Sequence, residues 1–132
     1  MSGGRYPRRV QPLEDLDAYK ACHQLTLSMH RVVEKLEDRD AELAAQLWLA
    51  ALYATGRIAR AAVFTAPRWV AMYLERALGA LAEMAYHLNL AHTLGLIPEE
   101  DHRELESLRG RAVFYTMKQL TMVVSPPDGE RG

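Results

Sequence analysis

Four arginines in the middle of the chain have the type and spacing of an anion-binding site: Arg57, Arg60, Arg68 and Arg76. The first two lie one helical turn apart, where like charges repel each other unless an anion lies beside them. Guanidinium groups bind phosphates through paired hydrogen bonds, and phosphate contacts dominate nucleic-acid affinity. We therefore take the four arginines as candidate nucleic-acid-binding residues. The alternative is that they form ion pairs within or between subunits, for instance with Glu75 and Glu83, because the sequence contains no RNA-recognition motif.

The histidines suggest a different chemistry, since a bundle of four helices can hold two metal ions with glutamates and Glu-x-x-His pairs. Only Glu99 and His102 have that spacing, and they fall in an exposed first turn of a predicted helix. His23 and His30 share a helical stripe with apolar and aromatic residues, and His92 stands alone. We expect neither a metal ion nor any other cofactor.

The sequence contains no recognisable set of catalytic residues. No glycine-rich phosphate loop follows a strand, no serine or cysteine has an evident base partner, and no carboxylate pair is set apart from the charged faces. Cys22 is the single cysteine and lies on an apolar helical stripe, which is typical of a small buried hydrophobe. We therefore expect a protein that is not an enzyme.

The composition favours one all-α domain. A chain of 132 residues can bury a real core, and alanine and leucine dominate its long segments. Sixteen basic and 17 acidic residues give a net charge of −1, which argues against a protein that binds nucleic acid over most of its surface. The charge is uneven, however: residues 41–80 contain four basic and two acidic residues. With no signal peptide and no apolar run of about 18 residues, we expect a cytoplasmic protein without a membrane partner.

Helical periodicity predicts four helices between two arms. Residues 1–12 and 125–132 are rich in glycine, proline and charge and show no period, so we expect flexible arms on either side of a bundle at residues 13–124. The predicted helices occupy residues 13–36, 41–63 and 98–124, together with a third helix that has Pro67 in its first turn and ends at the turn around Gly95. Their short connections predict an antiparallel, up-down-up-down four-helix bundle.

Individual residues predict where these helices begin and end. Asp38 or Asp40 can cap the second helix, and Thr65 can cap the third. Gly95 can end the third helix because it tolerates the left-handed conformation. Gly79, in mid-helix, would cost about 1 kcal/mol relative to alanine if it had no role. We therefore expect Gly79 to mark a close approach of another helix.

The second helix has more large apolar side chains than one core stripe needs. Four of them lie outside the stripe that would face the core: Trp48, Leu49, Leu52 and Tyr53. Surplus apolar surface of this kind is typical of an obligate subunit interface. These four residues are therefore candidates for an oligomer interface. A thick core that buries all of them is the alternative, because the second helix of a small bundle can be central.

Three segments carry a recognisable pattern. Residues 19–32 read YKACHQLTLSMHRV, similar to an aromatic-x-x-Ala-His-x-Leu motif. The second helix contains Gln-Leu-x-x-Ala-Ala from Gln46 and an Ile-Ala pair at Ile58. Residues 73–97 read YLERALGALAEMAYHLNLAHTLGLI and end in a Leu-Gly turn. Together these segments resemble the bacterial four-helix-bundle family related to the ribosomal-RNA intervening-sequence proteins.

The resemblance covers residues 16–124 and implies an assembly. Members of the family look like homopentamers, and one branch is the accessory variability determinant of diversity-generating retroelements, a basic ring that binds a reverse transcriptase and nucleic acid. This chain departs from the family's Asn-Ile-Ala-Glu-Gly signature at three positions, which here are Arg57, Arg60 and Ala61. An arginine that often follows the Gln-Leu pair is Trp48. These differences add positive charge and an aromatic ring to the second helix.

The leading hypothesis is a non-catalytic, pentameric accessory protein that docks a reverse transcriptase and binds RNA or DNA. A protein-interaction scaffold of the same family, with the arginines used for ion pairs and no nucleic-acid role, is the alternative.

Overall fold

The computed structural model describes residues 16–125, which form four α-helices and no strand. The helices are α1 (Asp17–Leu36), α2 (Ala41–Ala61), α3 (Pro67–Thr93) and α4 (Glu99–Val124). The predicted all-α class is therefore confirmed. The predicted arm at residues 1–12 lies outside the described residues, as does the predicted tail at 125–132 except for Ser125.

Each helix packs against two others, so that α1 and α3 both lie between α2 and α4. The direction of packing follows from pairs of contacts. His102 lies against Asn89, whereas Arg109, farther along α4, reaches back to the carbonyl of Leu81. Residue numbers therefore rise in opposite directions along α3 and α4. The result is a four-helix bundle with antiparallel neighbours.

The core is built from one apolar stripe on each helix. The stripe of α3 repeats every three or four residues from Val70 to Ala91, and the six residues that follow Val70 in it have no solvent exposure: Leu74, Ala77, Leu81, Met84, Leu88 and Ala91. A helix with this spacing turns all these side chains to one face. The periodicity of the sequence therefore predicts this stripe correctly.

Two hydroxyl groups interrupt the apolar packing between α1 and α2. Thr26 Oγ1 donates to the carbonyl oxygen of Cys22 at 2.8 Å and lies 3.0 Å from Thr55 Oγ1 on the facing helix. Thr55 Oγ1 also lies 3.4 Å from the Cys22 carbonyl oxygen. Both threonines are partly buried, and their hydroxyls supply each other with a hydrogen-bond partner across the helix pair.

The predicted helix ends are confirmed at two positions. Asp40 caps α2, and its Oδ1 accepts a hydrogen bond from the Leu43 amide at 3.0 Å. Gly95 follows α3 with φ of 70°, and its amide donates to the His92 carbonyl at 3.0 Å. The next amide, that of Leu96, donates to the carbonyl of Ala91 at 2.9 Å, which completes a Schellman motif.

Two other expectations were wrong. Thr65 does not cap α3: the N-cap is Ala66, which makes no side-chain capping bond, because Pro67 occupies the first position and fixes where the helix begins. Gly79 does not mark a close helix approach. It is exposed, and a Cβ atom added there would meet nothing within 4 Å among residues 16–125 apart from its own helical neighbours.

A buried carboxylate joins α4 to α1. Asp101 is 7% exposed, and its side chain lies 3.2 Å from Lys35 Nζ and 3.5 Å from Arg31 Nη1. Arg31 also pairs with Glu104 at 2.6 Å. A carboxylate this buried needs cations beside it, so these pairs fix how the start of α4 lies against the end of α1.

Candidate nucleic-acid interface

The four predicted arginines lie around the connection between α2 and α3. Arg57 and Arg60 belong to the last turns of α2, whereas Arg68 and Arg76 belong to the first three turns of α3. Because α2 and α3 are antiparallel neighbours joined by a short connection, the end of one meets the start of the other. The structure therefore brings the four residues to one end of the bundle.

Each of these guanidinium groups lies near an aromatic ring. The guanidinium carbon of Arg57 is 4.4 Å from the ring centre of Tyr53, and that of Arg68 is 5.0 Å from the ring centre of Trp69. Tyr73 is flanked by two arginines, Arg60 at 5.5 Å and Arg76 at 5.9 Å. These distances are within the range of cation–π attraction.

Three aromatic side chains complete the site. Phe64 stacks on Tyr73 with ring centres 5.5 Å apart, and it lies 6.5 Å from Trp69. Arg60 Nη1 donates to the Tyr73 hydroxyl at 3.1 Å, which ties the end of α2 to α3. We call this set the arginine–aromatic cluster, and it consists of Arg57, Arg60, Phe64, Arg68, Trp69, Tyr73 and Arg76.

The cluster keeps its positive charge. No ion pair between residues 16 and 125 involves any of its four arginines, so the pairing with Glu75 or Glu83 that the sequence left open does not form within the chain. The sequence contains no acidic residue between Glu42 and Glu75. Aromatic rings attract the guanidinium groups without neutralising them. The arrangement can therefore bind an anion.

The predicted interface residues divide between two sides of α2. Leu49, Leu52 and Tyr53 are 58%, 44% and 42% exposed and line a shallow groove between α2 and α3. Trp48 is half-buried against the core and lies in a different groove, between α1 and α2, where its ring meets that of His30 at 5.3 Å.

The groove between α2 and α3 continues into the arginine–aromatic cluster. Tyr53 lines the groove and also lies under the guanidinium of Arg57. Ala80, Glu83 and His87 of α3 form the opposite wall. One face of the bundle therefore changes from apolar to cationic along its length.

The histidines at the turn between α3 and α4 form a small polar cluster. His92 Nε2 donates to Glu99 at 2.7 Å, and its ring stacks on that of His102 with centres 4.1 Å apart. The hydrogen bond and the charge of His92 lower the pKa of Glu99. Over residues 16–125, no group of three or more His, Cys, Asp or Glu side chains is placed to hold a metal ion.

Cys22 is buried, as its helical stripe predicts. Removal from water raises the pKa of its thiol to about 12. A thiol of this kind stays protonated at neutral pH, and only the thiolate is a good nucleophile. Cys22 is therefore a packing residue of the core.

Sequence reasoning missed the aromatic half of the site. Phe64, Trp69 and Tyr73 were not singled out, although they lie among the arginines in the stretch that lacks acidic residues. The signal that could have identified them is the alternation of basic and aromatic residues where the second helix ends and the third begins. Their stacking depends on how α2 and α3 meet, which the sequence pattern alone does not give.

Fold and surface together define an all-α bundle protein with one cationic, aromatic end. The family model described as 23S rRNA-intervening sequence protein matches residues 14–112, and the chain belongs to this family. The resemblance drawn from the sequence motifs is thus confirmed at the level of the family. No individual curated protein matches the chain. None of the helices within residues 16–125 is both long and apolar enough to cross a membrane.

Proposed function

We propose that this protein is a non-catalytic, cytoplasmic accessory protein that assembles as a homopentameric ring, binds nucleic acid and docks a reverse transcriptase, as in diversity-generating retroelements. The observation that supports the nucleic-acid role is the arginine–aromatic cluster. It presents four guanidinium groups without ion pairs among the described residues, at one end of the bundle. Repetition of this patch around a ring would turn a modest affinity into a strong one.

A gel-shift titration over a range of salt concentrations tests this proposal. Binding through phosphates releases counterions, so the affinity should fall steeply as salt rises. Reversing both arginines of α2, in Arg57→Glu/Arg60→Glu, should abolish binding while the assembly stays intact. The matched control is Lys20→Glu/Arg103→Glu, which changes the net charge by the same amount on exposed positions of α1 and α4. Absence of binding, or binding that ignores ionic strength, would remove the nucleic-acid role.

The groove between α2 and α3 supports a second candidate, a protein-interaction scaffold without nucleic acid. Two leucines of α2, Leu49 and Leu52, are exposed there, and large exposed apolar groups that lie together mark protein interfaces. In this case the arginines would pair with carboxylates of a neighbouring subunit. Loss of assembly in Arg57→Glu/Arg60→Glu would favour the scaffold.

Sedimentation at micromolar concentration tests the assembly itself. We expect Leu49→Glu/Leu52→Glu to dissociate the oligomer, because the substitution places charge in a buried contact. Leu27→Glu is the control, since Leu27 is 55% exposed on α1 and belongs to neither groove. A wild-type chain that sediments as a monomer would refute the ring. Co-elution with a reverse transcriptase encoded in a neighbouring gene would test the docking role.

A further inference from the structure

We propose that the arginine–aromatic cluster takes single-stranded rather than double-stranded nucleic acid, with bases stacked on Phe64 and Trp69 and phosphates bound by the arginines. This inference rests on the proposed nucleic-acid role and specifies its ligand.

The first support is the exposure of the two rings. Phe64 is 38% exposed and Trp69 is 41% exposed, although both rings lie beside other aromatic rings of the bundle. Their rings are tilted by 36° with centres 6.5 Å apart, so they do not cover each other as a stacked pair. Part of each aromatic surface is therefore free to meet another flat group.

The second support is the cation beside each ring. Arg68 lies 5.0 Å from the centre of the Trp69 ring. Phe64 stacks on Tyr73, which Arg60 and Arg76 flank at 5.5 and 5.9 Å. A nucleotide combines a flat base with an anionic phosphate. Proteins that bind single strands without sequence preference combine these two features, an aromatic platform and nearby positive charge.

The third support is that a duplex would use only half of this site. The bases of a duplex stack on each other, and proteins reach them through hydrogen bonds to their edges. Phenylalanine has no hydrogen-bonding group and tryptophan has a single donor. A duplex would therefore contact the arginines through its phosphates and leave the exposed parts of both rings in solvent. A single strand would satisfy the rings and the arginines together.

Trp69 provides a direct reporter of stacking. The chain has two tryptophans, Trp48 and Trp69, so a Trp48→Phe background leaves one. Titration of this variant with oligo(dU), oligo(U) and a duplex of equal length should quench Trp69 fluorescence with the single strands only. Comparison of the two single strands shows whether the site also distinguishes DNA from RNA.

Binding by fluorescence anisotropy gives the affinities. We expect Phe64→Ala and Trp69→Leu each to weaken single-strand binding about tenfold, the loss typical of one stacked base, and to leave duplex binding unchanged. Trp69→Leu keeps an apolar side chain and therefore protects the fold. Tyr86→Ala is the control because Tyr86 is 63% exposed on α3 and lies about three helical turns beyond Arg76, the last residue of the cluster.

The possible results separate the two levels of the proposal. If no nucleic acid binds at any salt concentration, the proposed function fails and this inference fails with it. If single strands and duplex bind equally, without quenching and without an effect of either ring substitution, the inference fails while the nucleic-acid role stands. Quenching by single strands, with selective loss in the two ring variants, supports both.

Discussion

Replacing Gly79 by alanine should stabilise the protein. Gly79 lies in the middle of α3 on its solvent-exposed side, and its backbone has the negative φ of an ordinary helical residue. A Cβ atom at this position would meet no neighbouring element of the described bundle within 4 Å, so the substitution introduces no clash there. Glycine in a helix interior costs conformational entropy that alanine does not.

The size of the effect follows from helix propensity alone, since no contact changes. Glycine is about 0.8–1 kcal/mol less favourable than alanine in a helix interior. For a chain of this size, that difference raises the melting temperature by roughly 3–5 °C. Urea unfolding followed by circular dichroism should show a higher midpoint with an unchanged slope.

Gly95→Ala is the control of opposite sign. Gly95 has φ of 70°, where an added Cβ costs about 1–2 kcal/mol, so this variant should be less stable than the wild type. The two sites are far apart along α3, and their effects should add in the double variant. Destabilisation by Gly79→Ala at every protein concentration would refute the reasoning. Destabilisation only where subunits associate would show instead that a neighbouring chain approaches α3 closely at this point.

Three further outcomes are expected. Asp101→Asn should lower the free energy of unfolding by about 1–2 kcal/mol in urea titrations, because Lys35 loses its buried partner but is itself exposed, while Arg31 keeps its pair with Glu104. Cys22 should react with iodoacetamide only as fast as the protein unfolds, since burial raises its pKa to about 12; rapid labelling in native buffer would contradict this. Glu99→Gln should reduce thermal stability above pH 4.5, the ordinary pKa of Glu99, and the difference from wild type should vanish as the pH falls through the lowered pKa.

Features that depend on short stretches of chain were predictable from the sequence. The cap at Asp40, the proline that begins α3 and the left-handed Gly95 each involve only neighbouring residues, so their signals are local. The apolar stripe of α3 was equally clear because its period matches the helix. The predicted N-cap of α3, Thr65, lies one residue before the observed N-cap, Ala66, which is within the usual uncertainty of a helix boundary.

Features that depend on how two helices meet were not predictable. Asp101 reads as an ordinary acidic residue in a first helical turn, yet the packing of α4 on α1 buries it beside Lys35. Trp48 and Leu49 are adjacent in sequence and were grouped in one interface, but the structure places them in grooves on opposite sides of α2. The sequence shows that α2 has more apolar side chains than the core needs, but it does not show which side of α2 each of them lies on.

The hydroxyl pair between α1 and α2 limits how these two helices can be aligned. Apolar stripes made largely of alanine and leucine tolerate a slide of one helical turn, because one small or branched side chain replaces another. Such a slide would separate Thr26 from Thr55 and break the contacts that the Thr55 hydroxyl makes across this partly buried interface. The two hydroxyl groups thereby favour one alignment of α1 and α2 among several that apolar packing alone would permit.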